Sequence, residues 1–346
     1  MLSLGKQGHY IVLGDVMVDE YIGGTVSRIS PEAPIPILQF TATERFPGGA
    51  ANVAMNLAGL GHAVELIGVV GDDEPGRWLL REVQSKGVQS DGLLVDASRP
   101  TIRKVRYGTP QQAILRVDYE DTKDVSWSVS ADIGDILQSK ARDNVDALLV
   151  SDYAKGLVTI SVDSPLSQAI QRISLAGLLT GVDTKKKRHQ VGSFSGFTFI
   201  KPNLTELRVL TEMSIVTDTD LWQACDRLSE ETNITHIVVT MGHEGMALRT
   251  PTARRRVPTA PCSVFDVTGA GDTAFATLAS CIGTGCSWLE AVHVANVAAA
   301  SVVELRGTRT ITREILEERI EGIGYESSSD HSLRRDGAGS SRAASE

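Results

Sequence analysis

Beyond Ser130 the chain alternates short apolar runs with longer amphipathic stretches: strand 147–151, helix 160–175, strands 178–182 and 198–201, helices 205–213 and 220–232, and strand 236–240. Nothing else in the sequence restricts the fold as much. Strands separated by helix-length connections pair in parallel, and a parallel sheet must be covered on both faces by the helices that connect it. The N-terminal part repeats the theme with strand 10–14, helix 50–60 closed by Gly61, strand 64–70 and helix 76–86 closed by Gly87. Helices over 288–305 and 312–320 complete it. The expected fold is therefore α/β, three layers around a central, mostly parallel sheet, with ligands at the carboxyl ends of the strands.

Two segments break the alternation. Residues 20–42 carry Gly23-Gly24, three prolines and the alternating run Ile35-Pro-Ile-Leu-Gln-Phe40, and residues 92–120 hold three β-rich runs joined by Gly108-Thr-Pro110. Proline cannot donate in a central ladder, so these strands predict a small β-rich lid beside the main sheet, within one domain spanning 1–325. Ile35, Ile37 and Phe40 would leave an apolar lid face in water, which predicts a homodimer through the lids. The tail 326–346 has almost nothing to bury and is expected to be disordered.

The chemistry is expected at Asp266-Val-Thr-Gly-Ala-Gly-Asp272. Gly269, Ala270 and Gly271 form a tight turn directly before a helical pattern, where unpaired amides and the positive end of the helix dipole suit a phosphoryl group. A carboxylate repels an anion there unless it has work to do, and Asp272 suits a base that takes the proton of an attacking hydroxyl. Helix capping is the plainer reading of Asp272. A second glycine-rich element, Pro47-Gly48-Gly49-Ala-Ala-Asn52, tips the balance, because the two together resemble the signatures of the ribokinase-like (PfkB) sugar kinases, over nearly the whole chain to about residue 320.

That resemblance implies further roles. Asp15, Asp19, Gly48, Gly49 and Asn52 would bind sugar hydroxyls. Asn203-Leu204-Thr205-Glu206 matches the family's Asn-x-x-Glu element, which organises magnesium-bound phosphates through water, and Thr240, Gly242 and Gly245 would pass the nucleotide over bare backbone. Asn296 would line the adenine slot, and Asp266 would ligate a monovalent cation, potassium in many relatives. ATP and magnesium are the implied cofactors. The sequence departs from the family's usual Asp-Pro-Lys and Thr-Pro-Asn elements at Asp183-Thr-Lys185 and Lys201-Pro-Asn203.

The stretch from Asp15 to Pro36, followed by Arg45-Phe-Pro-Gly-Gly-Ala-Ala-Asn-Val-Ala, is similar to the heptose 7-phosphate kinases of the ADP-heptose pathway. This implies phosphorylation of D-glycero-β-D-manno-heptose 7-phosphate at the anomeric 1-hydroxyl. Lys104, Arg116 and Lys155, ahead of Arg103 and Arg106, would grip the phosphate already on the sugar. A kinase for another sugar, or a silent sugar-binding regulator on the same fold, stands beside this reading. The chain has no His-x-Gly-His element of the nucleotidyltransferase found in bifunctional relatives, so a stand-alone kinase is expected.

Other classes are disfavoured. A net charge of −9 argues against nucleic acid as the main partner. No Gly-x-x-x-x-Gly-Lys-[Ser/Thr] element supports a P-loop, and His243-Glu244 lacks the second histidine of a zinc protease. Four cysteines without a Cys-x-x-Cys pair, and no apolar run long enough for a bilayer, lead us to expect a cytoplasmic enzyme that meets no membrane.

Overall fold

A computed structural model describes residues 6–142, 144–158, 163–259, 262–305 and 307–322. In chain order these form β1 (His9–Gly14), β2 (Val16–Ile29), β3 (Pro36–Gly49), α1 (Ala50–Gly59), β4 (Ala63–Val70), α2 (Glu74–Ser85), β5 (Gln89–Val95), β6 (Ile102–Gly108), β7 (Ala113–Tyr119) and α3 (Trp127–Lys140). There follow β8 (Ala147–Asp152), α4 (Pro165–Leu175), β9 (Leu179–Thr184), β10 (Phe199–Ile200), α5 (Leu204–Thr211), α6 (Asp218–Thr232), β11 (His236–Thr240), β12 (Met246–Arg249), β13 (Arg254–Val257), α7 (Ala270–Gly283) and α8 (Trp288–Val302). A last helix covers 313–322.

The main sheet has nine strands in the order β13-β12-β11-β10-β9-β8-β1-β4-β5. From β5 to β11 every pairing is parallel, and the β11-β12-β13 end is antiparallel. Successive residues of a strand point to opposite faces, so Tyr10 and Val12 enter one core with α1, α2, α7 and α8, while Ile11 and Leu13 enter a second with α3 to α6. These are the three layers the alternation predicts.

A separate four-stranded sheet, β3-β2-β6-β7, forms the lid. Its members β2 and β3 are 14 residues each, with a register shift at Gly23/Gly24. Two boundaries differ from the sequence reading. The run Leu93-Val95 belongs to β5, the parallel edge of the main sheet, because Gly92 to Val95 pair with Ile67 to Val70 of β4. The lid also reaches further than residue 42, since β3 runs down to Gly49 and delivers the chain directly into α1.

Two elements lie outside the sequence expectation. Helix α3 starts at Ser126, whose hydroxyl accepts the Val129 amide, and buries Ile133 and Leu137 at helical spacing. The hairpin β12-β13 consists of four-residue strands, and the outer one carries Arg254-Arg255-Arg256, too short and too charged to register as periodic. The expected disordered tail lies outside the described residues.

Candidate active site

Helix α7 begins at the glycine-rich turn. Gly269 adopts φ 83°, a left-handed conformation that suits glycine, and the next residues enter the helix. The Ala270 amide donates to the Val267 carbonyl at 3.3 Å. Of the three expected anion-hole residues, Ala270 is therefore spent on closing the turn. The amides of Gly269, Gly271 and Asp272 have no protein acceptor among the described residues, so the open cradle is shifted one residue towards Asp272.

Asp272 is buried at the mouth of this cradle. The Asn52 amide donates to its Oδ2 at 2.9 Å and the Tyr153 hydroxyl to its Oδ1 at 2.8 Å. Burial pushes its carboxyl up to about 6, helped by the negative charge of Asp183 and opposed by those two donors and by Lys185. Asp183, also buried, goes the other way, because Lys201 and Lys185 more than offset its desolvation and hold it below the usual carboxylate range. Two neighbouring carboxylates are thus separated, one kept ionised and one poised to exchange a proton near neutrality.

Lys201 sits against the cradle itself. Its ammonium is 2.9 Å from Asp183 Oδ2, and a side chain on Gly271 would meet it at 3.7 Å. Lys185 bridges Asp183 at 3.5 Å and also pairs with Glu206. Lys201 stands where the sequence departs from the family's Thr-Pro-Asn element, whereas Lys185 keeps the lysine of Asp-Pro-Lys behind the substituted Thr184, and the tertiary structure brings the two cations together around Asp183. Only their facing positions on adjacent strand ends reveal this.

Asn203 and Glu206 form a reciprocal cap at the start of α5. The Glu206 amide donates to Asn203 Oδ1 and the Asn203 amide to Glu206 Oε2, both at 2.8 Å. Thr205 is exposed on this first turn, whereas Leu204 packs towards the core behind it and offers no side chain to a nucleotide. Beside Asn203, bridged to it, Thr240 opens a cleft of about 370 Å³. Gly242, Gly245 and Asn296 line this cleft as expected residues, together with His243, Cys262, Val264, Ala299, Ala300 and Val303, which the sequence did not single out. The cleft runs to Ala270 and Gly271, so a ligand lying in it ends at the cradle. The Asn296 amide donates to the Pro258 carbonyl at 2.8 Å.

On the other side of Asp272 lies the lid. Asp19 on β2 is ion-paired with Arg106 at 2.6 Å and accepts the Thr308 hydroxyl, and it packs on Gly48, where a side chain would collide with its carboxylate. Gly49, with φ 58°, places its backbone against the Asp15 carbonyl in the same way. Close packing is thus a sufficient reason for both glycines. Asp15, buried at the end of β1, accepts the amides of Tyr153 and Lys155 at 2.8 and 3.0 Å through one oxygen, and burial raises its carboxyl, with Asp152 adding to the effect. It holds in place the loop that presents Tyr153, a residue the sequence reading passed over.

The expected phosphate grips separate. Lys155 pairs with Glu120 at 2.5 Å, and the exposed Arg116 forks onto Asp118, two residues along its own strand, at 2.8 and 3.1 Å. Neither presents a free charge, because the lid strands carry their own carboxylates. Arg103 lies on the opposite face and meets Glu20. Lys104, paired in register with Asp19, points to the site side, and its ammonium is 5.6 Å from the Tyr153 ring. Burial lowers its pKa, as does nearby Lys155.

Asp266, expected to ligate a monovalent cation, receives three donors: the amides of Thr268 at 2.9 Å and Gly307 at 3.1 Å, and the Tyr21 hydroxyl at 3.4 Å. Despite burial, they hold its carboxyl below the ordinary range. The residue ties the turn before α7 to the lid, and we derive no step through a cation there.

This geometry agrees with the comparisons to known proteins. Residues 9–315 match the pfkB family of carbohydrate kinases. The bifunctional protein HldE of Shewanella amazonensis is 37% identical over 90% of this chain and 63% of its own length, and that of Shewanella baltica is 38% identical over the same shares. The chain thus spans a little under two thirds of the length of these curated relatives. Among solved structures, Arabidopsis thaliana ribokinase complexed with ribose and ATP superposes with a TM-score of 0.71 at 21% identity, covering 91% of this chain and 99% of that one. Escherichia coli phosphofructokinase-2 in complex with fructose-6-phosphate gives 0.73 at 17% identity, covering 90% and 97%. At such identities these two establish the ribokinase-like fold.

Proposed function

Because this chain belongs to the pfkB family of carbohydrate kinases, and is thereby an ATP-dependent sugar kinase, we propose that it phosphorylates the 1-hydroxyl of D-glycero-β-D-manno-heptose 7-phosphate to give the 1,7-bisphosphate. The observation that carries the mechanism is the position of Asp272, between the open amides at the start of α7 and the lid, with burial raising its carboxyl to about 6. ATP lies in the cleft from Asn296 to Gly271 with its terminal phosphate at the cradle. The sugar lies between the lid and Tyr153. As its hydroxyl oxygen attacks phosphorus, Asp272 takes the proton, and the Gly271 and Asp272 amides with Lys201 hold the charge that builds on the transferring group.

Among the described residues no group of three or more His, Cys, Asp or Glu is placed to hold a metal by itself. Magnesium binds through substrate phosphates, one or two carboxylates and water. Glu206 and Asn203 would hold it through water, and when bound it supplies charge neutralisation along the phosphates.

The heptose phosphate assignment is supported by the similarity of the lid segments to heptose 7-phosphate kinases, by the likeness to the HldE proteins and by Lys104, which faces the site and makes no close ion pair among the described residues, Asp19, Asp118 and Glu120 acting on its charge from further away. The same reading takes the enzyme to be a cytoplasmic homodimer joined by its lids. None of its four cysteines forms a disulfide among the described residues, and no helix among them is long and apolar enough to cross a membrane.

The test compares kcat/KM for heptose 7-phosphate and for the unphosphorylated heptose, in the parent enzyme and in Lys104→Ala. A charge-assisted contact to the phosphate is worth on the order of 1.5 to 3 kcal/mol, and the substitution should cost that only with the phosphorylated sugar. Equal use of both sugars by the parent enzyme rejects the heptose phosphate reading. Equal loss on both assigns Lys104 to the lid's own stability.

A further inference from the structure

Tyr153 takes no part in the proton or phosphoryl transfer above, yet it makes one of the two side-chain hydrogen bonds to the base. Its hydroxyl donates to Asp272 Oδ1 at 2.8 Å, while Asn52 donates to the other oxygen, Oδ2, at 2.9 Å. The loop that carries it is held unusually firmly. Asp15 accepts the amides on either side of Ala154, Asp152 accepts the Ala154 amide at 3.0 Å, and Ala154 itself is forced to φ 56°, a strained conformation for a residue with a side chain. Two ammonium groups flank the ring, Lys104 from the lid at 5.6 Å and Lys185 from the phosphate side at 5.3 Å. Three hydrogen bonds to the loop and two ammonium groups beside the ring thus set the position of one hydroxyl on one carboxylate oxygen.

We propose that the Tyr153 hydroxyl occupies the place of the acceptor hydroxyl on Asp272 and withholds the base from water until the sugar displaces it. Water in that place would be activated just as the sugar is. Its oxygen would bond to the terminal phosphorus, its proton would pass to Asp272, and the bond to the bridging oxygen would break to release ADP and phosphate. Tyr153 blocks this step without competing as a base. Burial, with the charge of Asp272 behind it, drives the phenol well above its usual pKa, so it remains a donor. The sugar enters on the same side, beneath Lys104, and replaces one hydroxyl donor with another.

The inference rests on Asp272 as the base, and the experiment separates the two. ADP release by the full chain with ATP and magnesium is measured with and without the sugar substrate for the parent, Tyr153→Phe, Asp272→Asn and the double variant. We expect Tyr153→Phe to raise sugar-independent ATP hydrolysis by roughly 3- to 10-fold, the worth of one neutral hydrogen bond, and Asp272→Asn to abolish the gain in the double variant. The acid limb of kcat/KM for the sugar should also move to higher pH in Tyr153→Phe, since a donor that stabilises the ionised base in the free enzyme is gone, whereas that of kcat should stay, the sugar having replaced the donor. Hydrolysis that is unchanged, or that falls together with sugar phosphorylation, overturns the proposal and leaves Tyr153 as a packing residue. Sugar phosphorylation that survives in Asp272→Asn overturns the base assignment instead. Tyr153→Met, which also removes the hydroxyl but fills the space flexibly, supplies the same readout if the phenylalanine variant does not fold.

Discussion

Asp272 is useful because of its surroundings. An exposed aspartate would be ionised at every physiological pH and would be a weak base. Desolvation raises this one to about 6, while the Asn52 and Tyr153 donors keep it from rising further. Asp272→Asn preserves shape and keeps one acceptor oxygen for the two donors but cannot take a proton, so turnover should fall by roughly 10²-fold or more with ATP binding intact. A variant with near-parent turnover would reduce Asp272 to a helix cap. The same chemistry fixes the pH dependence. A base works only when unprotonated, so kcat/KM, which reports the free enzyme, should be level above its pKa and fall about tenfold per pH unit below about 6. A profile flat down to pH 4.5 would contradict this. The sequence located Asp272, Asn52 and the glycine turn because these follow one another in recognisable runs. It could not locate Tyr153, Lys185 and Lys201, whose roles exist only because the ends of β8, β9 and β10 lie side by side.

At the scale of elements, the site depends on α1 and α7 staying in register, since one supplies Asn52 and the other Asp272. A buried histidine fastens their far ends. His62, in the turn after α1, accepts the Gly8 amide at Nδ1 (3.0 Å) and meets the Ser280 hydroxyl of α7 at Nε2 (2.6 Å). Its ring also packs on Tyr10, with centroids 4.7 Å apart. An imidazole that accepts at Nδ1 must be neutral, and burial, aided by Arg313, lowers its pKa to about 4. The unfolded chain protonates near 6.5, so His62 contributes stability above that pH and loses it as the pH falls towards 4. In urea titrations, the drop in stability between pH 6.5 and 4 should therefore be smaller in His62→Gln than in the parent. Identical drops would mean that His62 is not held neutral. Sequence periodicity located both helices, but a lone histidine in a turn carries no sign of what it touches 218 residues away.

The whole molecule leaves the lid incomplete. A four-stranded sheet has two open edges, here β3 and β7, and its outer parts expose Val26, Ile29 and Phe40 together with Leu115 and Tyr119. Apolar side chains beside unpaired strand edges favour pairing with another lid. Sedimentation at micromolar concentration should give a dimer, and Phe40→Glu combined with Leu115→Glu should give a monomer. A monomeric parent protein would rule out the lid-to-lid assembly.

The sequence alone determined the layered α/β fold, the lid and the turn that carries the chemistry, because each rests on local order: the period of apolar residues, the placement of proline and the run of small residues before a helix. It also placed Thr240, Gly242, Gly245 and Asn296, which gather along one cleft. The tertiary structure decided the allocation of charge. Lys155 and Arg116 are as basic in sequence as Lys104, yet Glu120 and Asp118 neutralise the first two and leave the third facing the site. Pairing of charges acts through distance in space, and strand register, not neighbourhood in the chain, sets that distance.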